Sequence, residues 1–316
     1  MAPALEFQDL TKTYRLGFRM RQVRALEGLS MRVEAGSIFG FVGPNGAGKS
    51  TTIKVLVGLI APTRGTAAIL GRSIADPAAR GAIGYLPENP TFHEFLRPLE
   101  VLDFMGRLSG LSGAGLRRRA AEVLDLVGLG GARDLTVRRF SKGMVQRLGL
   151  AQAILHDPPL LVLDEPMSGL DPIGRKEVRD LIVDLRRRGK TVFFSTHILS
   201  DVETICDRVG MVLRGRLVAE GALESLLDGS IRAVELRCAG APPALLAELG
   251  AAGAPAADGE GGVTLSFRDL EGANAAAGRV LASGGRLLSV QPLRENLEET
   301  FVRLAAADGA RARDSR

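Results

Sequence analysis

The sequence has no tryptophan, only two tyrosines and two cysteines, and no apolar run that approaches the length needed to cross a bilayer. Cys206 and Cys238 show no metal-ligand spacing, which favours reduced packing residues over a zinc site. The N-terminus lacks the basic-then-apolar order of a signal peptide, so we expect a cytosolic location. These absences argue against a membrane-spanning chain and against a disulfide-rich secreted domain.

The composition is that of an ordinary globular protein, with 46% hydrophobic and 24% charged residues. A length of 316 residues is sufficient for two domains. The net charge of +5 makes nucleic acid a candidate partner. The basic residues, however, form short clusters such as 117–119 and 186–188, which are typical of the solvated faces of helices. No specific nucleic-acid partner is therefore expected, and an anionic membrane surface would suit the charge equally well.

The first 220 residues alternate short apolar runs with amphipathic ones, which predicts an α/β domain over residues 4–220, with a helical subdomain at about 90–160. Ser37–Val42 is predicted to be a buried strand that leads through a glycine-rich loop into a helix, Lys49–Leu59. Leu160–Asp164 and Thr191–Ser195 are continuous apolar runs that fit central parallel strands.

From residue 221 onward the composition becomes rich in alanine and glycine, and residues 228–290 contain no lysine. The pattern predicts a small α+β domain over 221–306 with the order βαββαβ, which suggests a ferredoxin-like fold. Its elements are expected at 231–238, 242–250, 254–257, 263–267, 269–283 and 286–291, followed by a helix over 295–306. Residues 307–316 are predicted to be a disordered tail.

A glycine-rich segment between the first buried strand and its helix matches the P-loop pattern GxxxxGK[ST]. Its glycines let successive N–H groups point into one concavity, to which the helix adds its positive dipole end. Lys49 can then reach the β and γ phosphates of a nucleotide, and Ser50 can ligate Mg²⁺. The predicted ATP-binding residues of this loop are Gly43, Pro44, Asn45, Gly46, Ala47, Gly48, Lys49, Ser50 and Thr51.

Two later strand ends carry side chains that suit hydrolysis. Asp164, at the end of an apolar strand, can hold Mg²⁺ through water, and Glu165 beside it can polarise a water for in-line attack. His197 follows the next strand and can contact the γ-phosphate. For a lone histidine, a structural role satisfied by the backbone is the favoured interpretation.

Taken together, these residues resemble the nucleotide-binding domains of ATP-binding-cassette (ABC) ATPases over residues 4 to 220, with the motifs in the family's order. By this resemblance Gly43–Thr51 is the Walker A segment and Leu160–Glu165 is the Walker B strand with the catalytic glutamate. Ser168–Asp171 corresponds to the D-loop, whose Asp171 is an ATP-site residue, and His197 to the switch histidine. Tyr14 stands where the family stacks an aromatic ring on adenine, although a core tyrosine is the alternative.

The segment Phe140–Arg147 resembles the family signature LSGGQxQR: Ser141 and Gly143 match it, whereas Phe140, Lys142 and Met144 depart from it. Ser141 is predicted to cap a helix whose N–H groups can meet a γ-phosphate. In the family that phosphate belongs to ATP held by a partner subunit, so the resemblance implies a head-to-tail homodimer or paired cassette. Lys142 either adds positive charge there or points to solvent.

Glu88 occupies the place of the family's Q-loop glutamine, where a carboxylate can still ligate Mg²⁺. Together with the Ser-Lys-Gly-Met signature and the segment Leu297–Phe301, it resembles the subfamily that serves ABC-2 export permeases. Three apolar residues after Glu88 lie where the family docks the permease's coupling helix, or else close the core of the helical subdomain. They are Phe92, Phe95 and Leu96.

The resemblance implies an ATP-binding and ATP-hydrolysing transporter subunit that uses ATP and Mg²⁺. It would drive a separately encoded transmembrane permease from the cytoplasmic face of the plasma membrane, and the resemblance to that subfamily implies an exporter. Glu165 would act as base and His197 as γ-phosphate clamp. The alternative is a soluble ABC ATPase acting on nucleic acid or the ribosome, but such relatives usually have two cassettes or a long coiled coil. A non-catalytic cassette is disfavoured because Lys49, Asp164, Glu165 and His197 are all present.

Overall fold

The computed structural model describes residues 3–16, 21–227, 231–250, 256–257, 262–294 and 296–314. The chain divides into two compact units, residues 1–223 with 304–316, and residues 224–303. Within the described residues, no helix combines the length and the apolarity that a bilayer crossing requires.

The first unit contains two sheets and a group of helices. Its strands are β1 (Leu5–Leu16), β2 (Arg21–Val33), β3 (Ile38–Val42), β4 (Arg64–Ile69), β5 (Arg72–Ser73), β6 (Ile83–Leu86), β7 (Leu160–Asp164), β8 (Thr191–Thr196), β9 (Arg208–Leu213) and β10 (Arg216–Ala222). Its helices are α1 (Lys49–Leu56), α2 (Pro98–Leu108), α3 (Gly113–Leu126), α4 (Lys142–Ile154), α5 (Pro172–Arg187) and α6 (Leu199–Ile205), and α7 (Leu223–Leu226) follows β10.

The larger sheet has the order β10-β9-β3-β8-β7-β6, and all its neighbouring strands are parallel except β10. Every residue of β3, β7 and β8 is buried, which explains why these strands appear in the sequence as continuous apolar runs. Because parallel strands end at the same edge of a sheet, Val42 pairs with Thr196 and Asp164 with Ser195 at that edge. The predicted central strands and the mixed α/β fold are confirmed.

The smaller sheet, β2-β1-β4-β5, is antiparallel and shares one apolar core with β3, β7, β8 and α1. The Phe193 ring of β8 lies 5.5 to 6.4 Å, between centroids, from the rings of Phe7, Phe39 and Phe41. Aromatic pairs at such distances add to the stability that burial provides. This core supports the sheet edge that carries the P-loop.

One predicted boundary needs correction, since α1 ends at Leu56 rather than at Leu59. The reason is Gly58, which follows the C-cap Val57 with φ of 77°. A glycine in the left-handed region is a common helix stop. Helices α2, α3 and α4 pack against one another within the range 98–154.

The second unit contains strands β11 (Ile231–Ala239), β12 (Ala256–Ala257), β13 (Val263–Phe267) and β14 (Arg286–Arg294), and helices α8 (Pro243–Leu249) and α9 (Leu270–Ala282). The sheet order β12-β13-β11-β14, with every pair antiparallel, places the first and third strands at the centre, as in a ferredoxin-like fold. Its core includes Leu236, Cys238, Leu265 and Val280. Residues 254–255 of the predicted short strand lie outside the described residues.

The C-terminal segment differs from its prediction. Helix α10 runs from Leu297 to Asp314, so residues 307–314 are helical where the sequence predicted a disordered tail. The segment contains several alanines and arginines, which have high helix propensity and extend the helix despite Gly309. Residues 315 and 316 lie outside the described residues.

Candidate active site

The P-loop joins β3 to α1 and needs glycine at two of its positions for different reasons. A Cβ on Gly43 would collide with the carbonyl oxygen of Val212. Gly48, just before α1, has φ of 108°, and a Cβ there would lie 2.6 Å from the carbonyl oxygen of Ala25. Larger residues are therefore excluded, and the loop wraps closely around its own concavity at the start of α1.

Lys49 points back into that concavity and is only 6% exposed. Its Nζ donates to the carbonyl oxygen of Gly43 at 2.7 Å and lies 3.3 Å from Glu165 Oε1. A buried ammonium is expensive unless it is paired, and here a carbonyl and a carboxylate provide the partners. Phosphate oxygens entering the loop can take over this role.

Asp164, Ser50 and Ser195 form a second group at the same edge. Ser195 Oγ donates to Asp164 Oδ1 at 2.6 Å, and Ser50 Oγ lies 3.3 Å from the same oxygen. Burial raises the pKa of Asp164, and the hydrogen bonds from the two hydroxyls only partly offset this. A buried carboxylate beside a hydroxyl is a hard-oxygen pair of the kind that Mg²⁺ prefers, so these residues fit that cation.

Glu165 adopts φ of 48°, which is uncommon for a residue with a side chain. Its backbone N–H donates to Ser195 Oγ at 3.1 Å and also points at the Ser195 carbonyl at 3.2 Å. Unusual backbone of this kind persists when neighbours over-determine it, and it is concentrated at functional sites. Here it directs the carboxylate of Glu165 toward Lys49.

His197 Nδ1 lies 3.0 Å from Glu165 Oε2, and the histidine side chain is 43% exposed. Its described partner is thus a carboxylate of the site and not a backbone group, which favours the functional interpretation over the structural one. We call Lys49, Ser50, Asp164, Glu165, Ser195 and His197 the strand-end cluster, because they meet where β3, β7 and β8 end.

Ser195 is the member of this cluster that the sequence analysis missed. It bonds both Asp164 and the Glu165 backbone, whereas the sequence pattern places it only at the end of the buried strand Thr191–Ser195. The available signal was positional, since a polar residue closing one parallel strand faces the end of its neighbour, and Ser195 pairs with Asp164.

Two other predicted residues are not joined to the cluster by any contact that the structure describes. Glu88 is exposed two residues beyond β6, whose last residue Leu86 pairs with Leu163. Tyr14 is half-buried in β1, and the Lys12 ammonium lies 5.3 Å from its ring centroid. Closer to Asp164, the half-buried Tyr85 has a pKa raised to about 12 by burial and by the negative charge of Asp164.

The signature and D-loop residues line a separate cavity of about 580 Å³. Ser141 is the N-cap of α4 and accepts from the Met144 N–H at 3.2 Å, while Asp171 is the N-cap of α5 and accepts from the Gly174 N–H at 2.9 Å. We call this the signature cavity; the residues that matter here are Ser141, Lys142, Gly143, Gly169 and Asp171.

The sequence leaves two roles for Lys142, positive charge at the γ-phosphate site or a side chain that points to solvent. In the structure the Lys142 side chain is exposed and lies next to Gly169. A Cβ built on Gly169 would stand 2.5 Å from Lys142 Nζ, so only a glycine leaves room for this arrangement. The ammonium is therefore at the rim of the signature cavity.

The residues expected at the permease-docking region separate into two kinds. Phe95 is 80% exposed, whereas Phe92 and Leu96 are partly buried and line a cavity of about 310 Å³ together with Phe104. Phe95 therefore does not close the helical core.

Comparisons with known proteins identify similar sequences and structures. The family profile described as ABC transporter matches residues 26–168. An ABC transporter ATP-binding protein of Nostoc sp. is 42% identical over 299 residues, covering 93% of this chain and 87% of the relative. A second such protein, from Synechocystis sp., is 46% identical, covering 72% of this chain and 65% of that relative's length. The daunorubicin/doxorubicin resistance ATP-binding protein of Streptomyces peucetius is 40% identical, covering 74% and 70%.

Solved structures show the same fold. An ATP-binding subunit of an ABC transporter has a TM-score of 0.63 and 35% identity, covering 71% of this chain and 91% of its own. An ATP-binding cassette solved as a dimer in a post-hydrolysis state, with ADP and phosphate bound, has a TM-score of 0.64 and 25% identity, covering 69% and 98%.

Proposed function

Because this chain belongs to the family of ABC transporter ATP-binding proteins, we propose that two copies close around two MgATP and drive a separately encoded membrane permease. The chain is an ABC-type ATPase that binds ATP. The observation that carries the proposal is the division of the site residues. The strand-end cluster groups the residues that suit phosphate binding and hydrolysis, whereas Ser141 lines an open cavity apart from it.

In the proposed reaction the P-loop N–H groups and Lys49 hold the β and γ phosphates. Glu165 accepts a proton from a water whose oxygen attacks the γ-phosphorus, while the bond from that phosphorus to the ADP oxygen breaks. His197 already uses Nδ1 toward Glu165, so Nε2, on the other side of the ring, can contact the γ-phosphate. Glu165, which follows β7, and His197, which follows β8, therefore both act at the γ-phosphate.

Mg²⁺ would be held by Ser50 and, through water, by Asp164, and when bound it would neutralise charge on the phosphates. Ser195 keeps the Asp164 oxygen oriented for that purpose, and the exposed Glu88 can turn toward the same edge from the end of β6. Tyr14 is proposed to stack on adenine from β1 with the ring face that Lys12 does not cover.

Completion of each ATP site requires a second copy in this proposal. The N-terminal N–H groups of α4, with Ser141 and Gly143, would meet the γ-phosphate bound by the P-loop of the partner, and Asp171 would face the partner beside them. A dimer with ADP and phosphate bound in a similar cassette supports this arrangement.

The membrane partner is proposed to dock on the exposed Phe95 beside α2, at the cytoplasmic face of the plasma membrane. The likeness to a drug-resistance ATP-binding protein supports an exporter of the ABC-2 type. Membrane association that depends on a co-purifying permease would support this docking, whereas salt-sensitive RNA or DNA binding without membranes would contradict it.

The decisive variant is Glu165→Gln, which keeps the shape of the side chain but cannot accept the proton. We expect ATP hydrolysis to fall by about 10²- to 10⁴-fold, while ATP binding persists and a nucleotide-bound dimer accumulates. Turnover and size-exclusion chromatography with light scattering would measure both. Glu122→Gln on the exposed surface of α3 is the matched control and should behave like the wild type. Near-normal turnover of Glu165→Gln would remove Glu165 from the role of base.

A further inference from the structure

Asp201 is a fully buried carboxylate that none of the motifs explains. It lies on the first turn of α6, four residues after His197. Its Oδ2 accepts from Arg175 Nη2 at 2.7 Å, and its Oδ1 accepts from Arg179 Nη1 at 2.7 Å. Both arginines belong to α5, so one carboxylate joins the two helices through two charge-assisted hydrogen bonds.

Helix α6 depends on such contacts because it has little stability of its own. It is seven residues long, and its N-cap, Ile198, provides no side-chain hydrogen bond. The buried side chains of the helix are Asp201 and Val202. Val202 packs on β3 at Gly40, where an added Cβ would lie 3.0 Å from Val202 Cγ1. Val202 thus provides an apolar contact that holds α6, and Asp201 provides the polar contacts.

His197 lies in the short connection between β8, which ends at Thr196, and α6, which begins at Leu199. One end of the connection is held by the pairing of β8 with β3 and β7. Within it, the Ile198 N–H donates to Thr196 Oγ1 at 3.0 Å. The other end is fixed only as well as α6 is fixed, so a shift of α6 would move the imidazole away from Glu165.

We infer that Asp201 is a positioning residue for His197. Held by Arg175 and Arg179, it keeps α6 in the place where His197 Nδ1 stays within hydrogen-bond distance of Glu165. The inference rests on the proposed function, in which His197 contacts the γ-phosphate. Since α5 begins directly after Asp171, the same contacts connect His197 to the loop that lines the signature cavity.

The test compares Asp201→Asn with Asp180→Asn. Asparagine keeps the shape at position 201, but it loses the charge and can accept through only one oxygen. Asp180 is likewise an ion-paired aspartate, with Lys176 as its partner, but it lies exposed on α5 and is the matched control. We expect Asp201→Asn to lower the kcat of ATP hydrolysis at least tenfold with a Kd for ATP within twofold of the wild type, because the P-loop is untouched. Asp180→Asn should leave both unchanged.

A milder variant distinguishes loss of positioning from loss of folding. Arg179→Met leaves Asp201 paired with Arg175, so it should fold and lower kcat by a smaller factor than Asp201→Asn. The chain contains only three histidines, His93, His156 and His197, so histidine-selective NMR can follow the imidazole directly. Both variants should shift the ring resonances of His197 and leave those of His156 in place.

The route through His197 is tested by a double-mutant cycle. In a His197→Ala background, Asp201→Asn should lower kcat by less than twofold. Wild-type kcat in Asp201→Asn, or the same fold-loss with and without His197, would overturn the inference while leaving the proposed function intact. Wild-type turnover of His197→Ala itself would instead contradict the proposed function.

Discussion

The strand-end cluster and the signature cavity differ in how their polar side chains are partnered. In the strand-end cluster Lys49 meets Glu165, Glu165 meets His197, and Asp164 meets Ser195. In the signature cavity Ser141 and Asp171 cap their own helices, while the Lys142 side chain lies exposed at a rim that opens on about 580 Å³.

The difference has a physical meaning. Buried charges need partners, so the strand-end cluster is assembled by the chain alone and is ready to exchange a protein partner for phosphate. An open cavity at a helix N-terminus offers N–H groups without charge compensation, which suits an anion that arrives from outside. The comparison therefore supports the proposal that the strand-end cluster carries the catalytic groups of one chain and that the signature cavity completes the ATP site of a second chain.

After Glu165→Gln, the largest expected effect comes from removing the cation of the strand-end cluster. Lys49→Ala removes the ammonium that stabilises the phosphates, so we expect kcat to fall by about 10²- to 10³-fold and ATP affinity to weaken. Steady-state turnover and calorimetric ATP titration measure both. Lys176→Ala, on the exposed surface of α5, controls for the loss of one lysine. Unchanged ATP affinity in Lys49→Ala would mean that the phosphates do not bind at Lys49.

A smaller effect is expected from Ser195→Ala, which leaves every charge of the strand-end cluster in place but removes the hydrogen bonds that the Ser195 hydroxyl makes with Asp164 and with the Glu165 N–H. A hydrogen bond to a charged group contributes about 1.5–3 kcal/mol, so we expect a ten- to hundredfold lower kcat if that contribution is realised in the transition state. The exposed Ser109→Ala is the control. If Ser195→Ala were as active as Ser109→Ala, Ser195 would have no part in the site.

Next in size is a change confined to the signature cavity. Gly169 has φ of 71°, and a Cβ there would displace Lys142, whereas Gly189 has φ of 82° with open space around it. Alanine at either position should cost roughly 1–2 kcal/mol of folding free energy for the left-handed conformation. Only Gly169→Ala should weaken the ATP-dependent dimer of the Glu165→Gln chain, with ATP binding to a single chain unchanged. If Gly169→Ala and Gly189→Ala dimerised equally well, Gly169 would have no part in the dimer interface.

The smallest effect concerns the opposite edge of the larger sheet, where β6 begins. His156 lies near the start of β6, with Nε2 3.2 Å from the Ile83 carbonyl oxygen, and burial lowers its pKa below the usual 6.5. A lowered folded pKa means that this stability is fully present above pH 6.5 and is lost as the pH falls toward and through the folded value. Urea unfolding from pH 7.5 to 5.5 should show a shallower decline for His156→Asn than for the wild type. Identical slopes would refute this contribution.

Much of the strand-end cluster was predictable because its chemistry is local. Gly43–Thr51 and Leu160–Glu165 are contiguous segments whose residue types and flanking strands suffice to predict phosphate and Mg²⁺ chemistry. The role of His197 was predicted from its position after a buried strand together with the resemblance to ABC ATPases. The fold class was predictable for the same reason, since β3, β7 and β8 are continuous apolar runs.

What could not be predicted depends on register and packing between distant segments. The role of Ser195 requires knowing that it pairs with Asp164, 31 residues earlier, and the burial of Asp201 requires knowing that α5 packs on α6. The helical ending of α10 was missed because alanine-rich segments give weak periodicity. Tyr14 and Glu88 stand as proposals, since a motif position alone does not say where a side chain points.

The central claim is that each ATP site combines the strand-end cluster of one chain with the signature cavity of another. Two variants in a Glu165→Gln background test it: Lys49→Ala, which disables the first region, and Ser141→Arg, which fills the second. Neither should dimerise alone with ATP. Native mass spectrometry of their mixture should show a heterodimer with one ATP per two chains. A mixture that stays monomeric, or a Ser141→Arg chain that dimerises by itself around two ATP, would contradict the account.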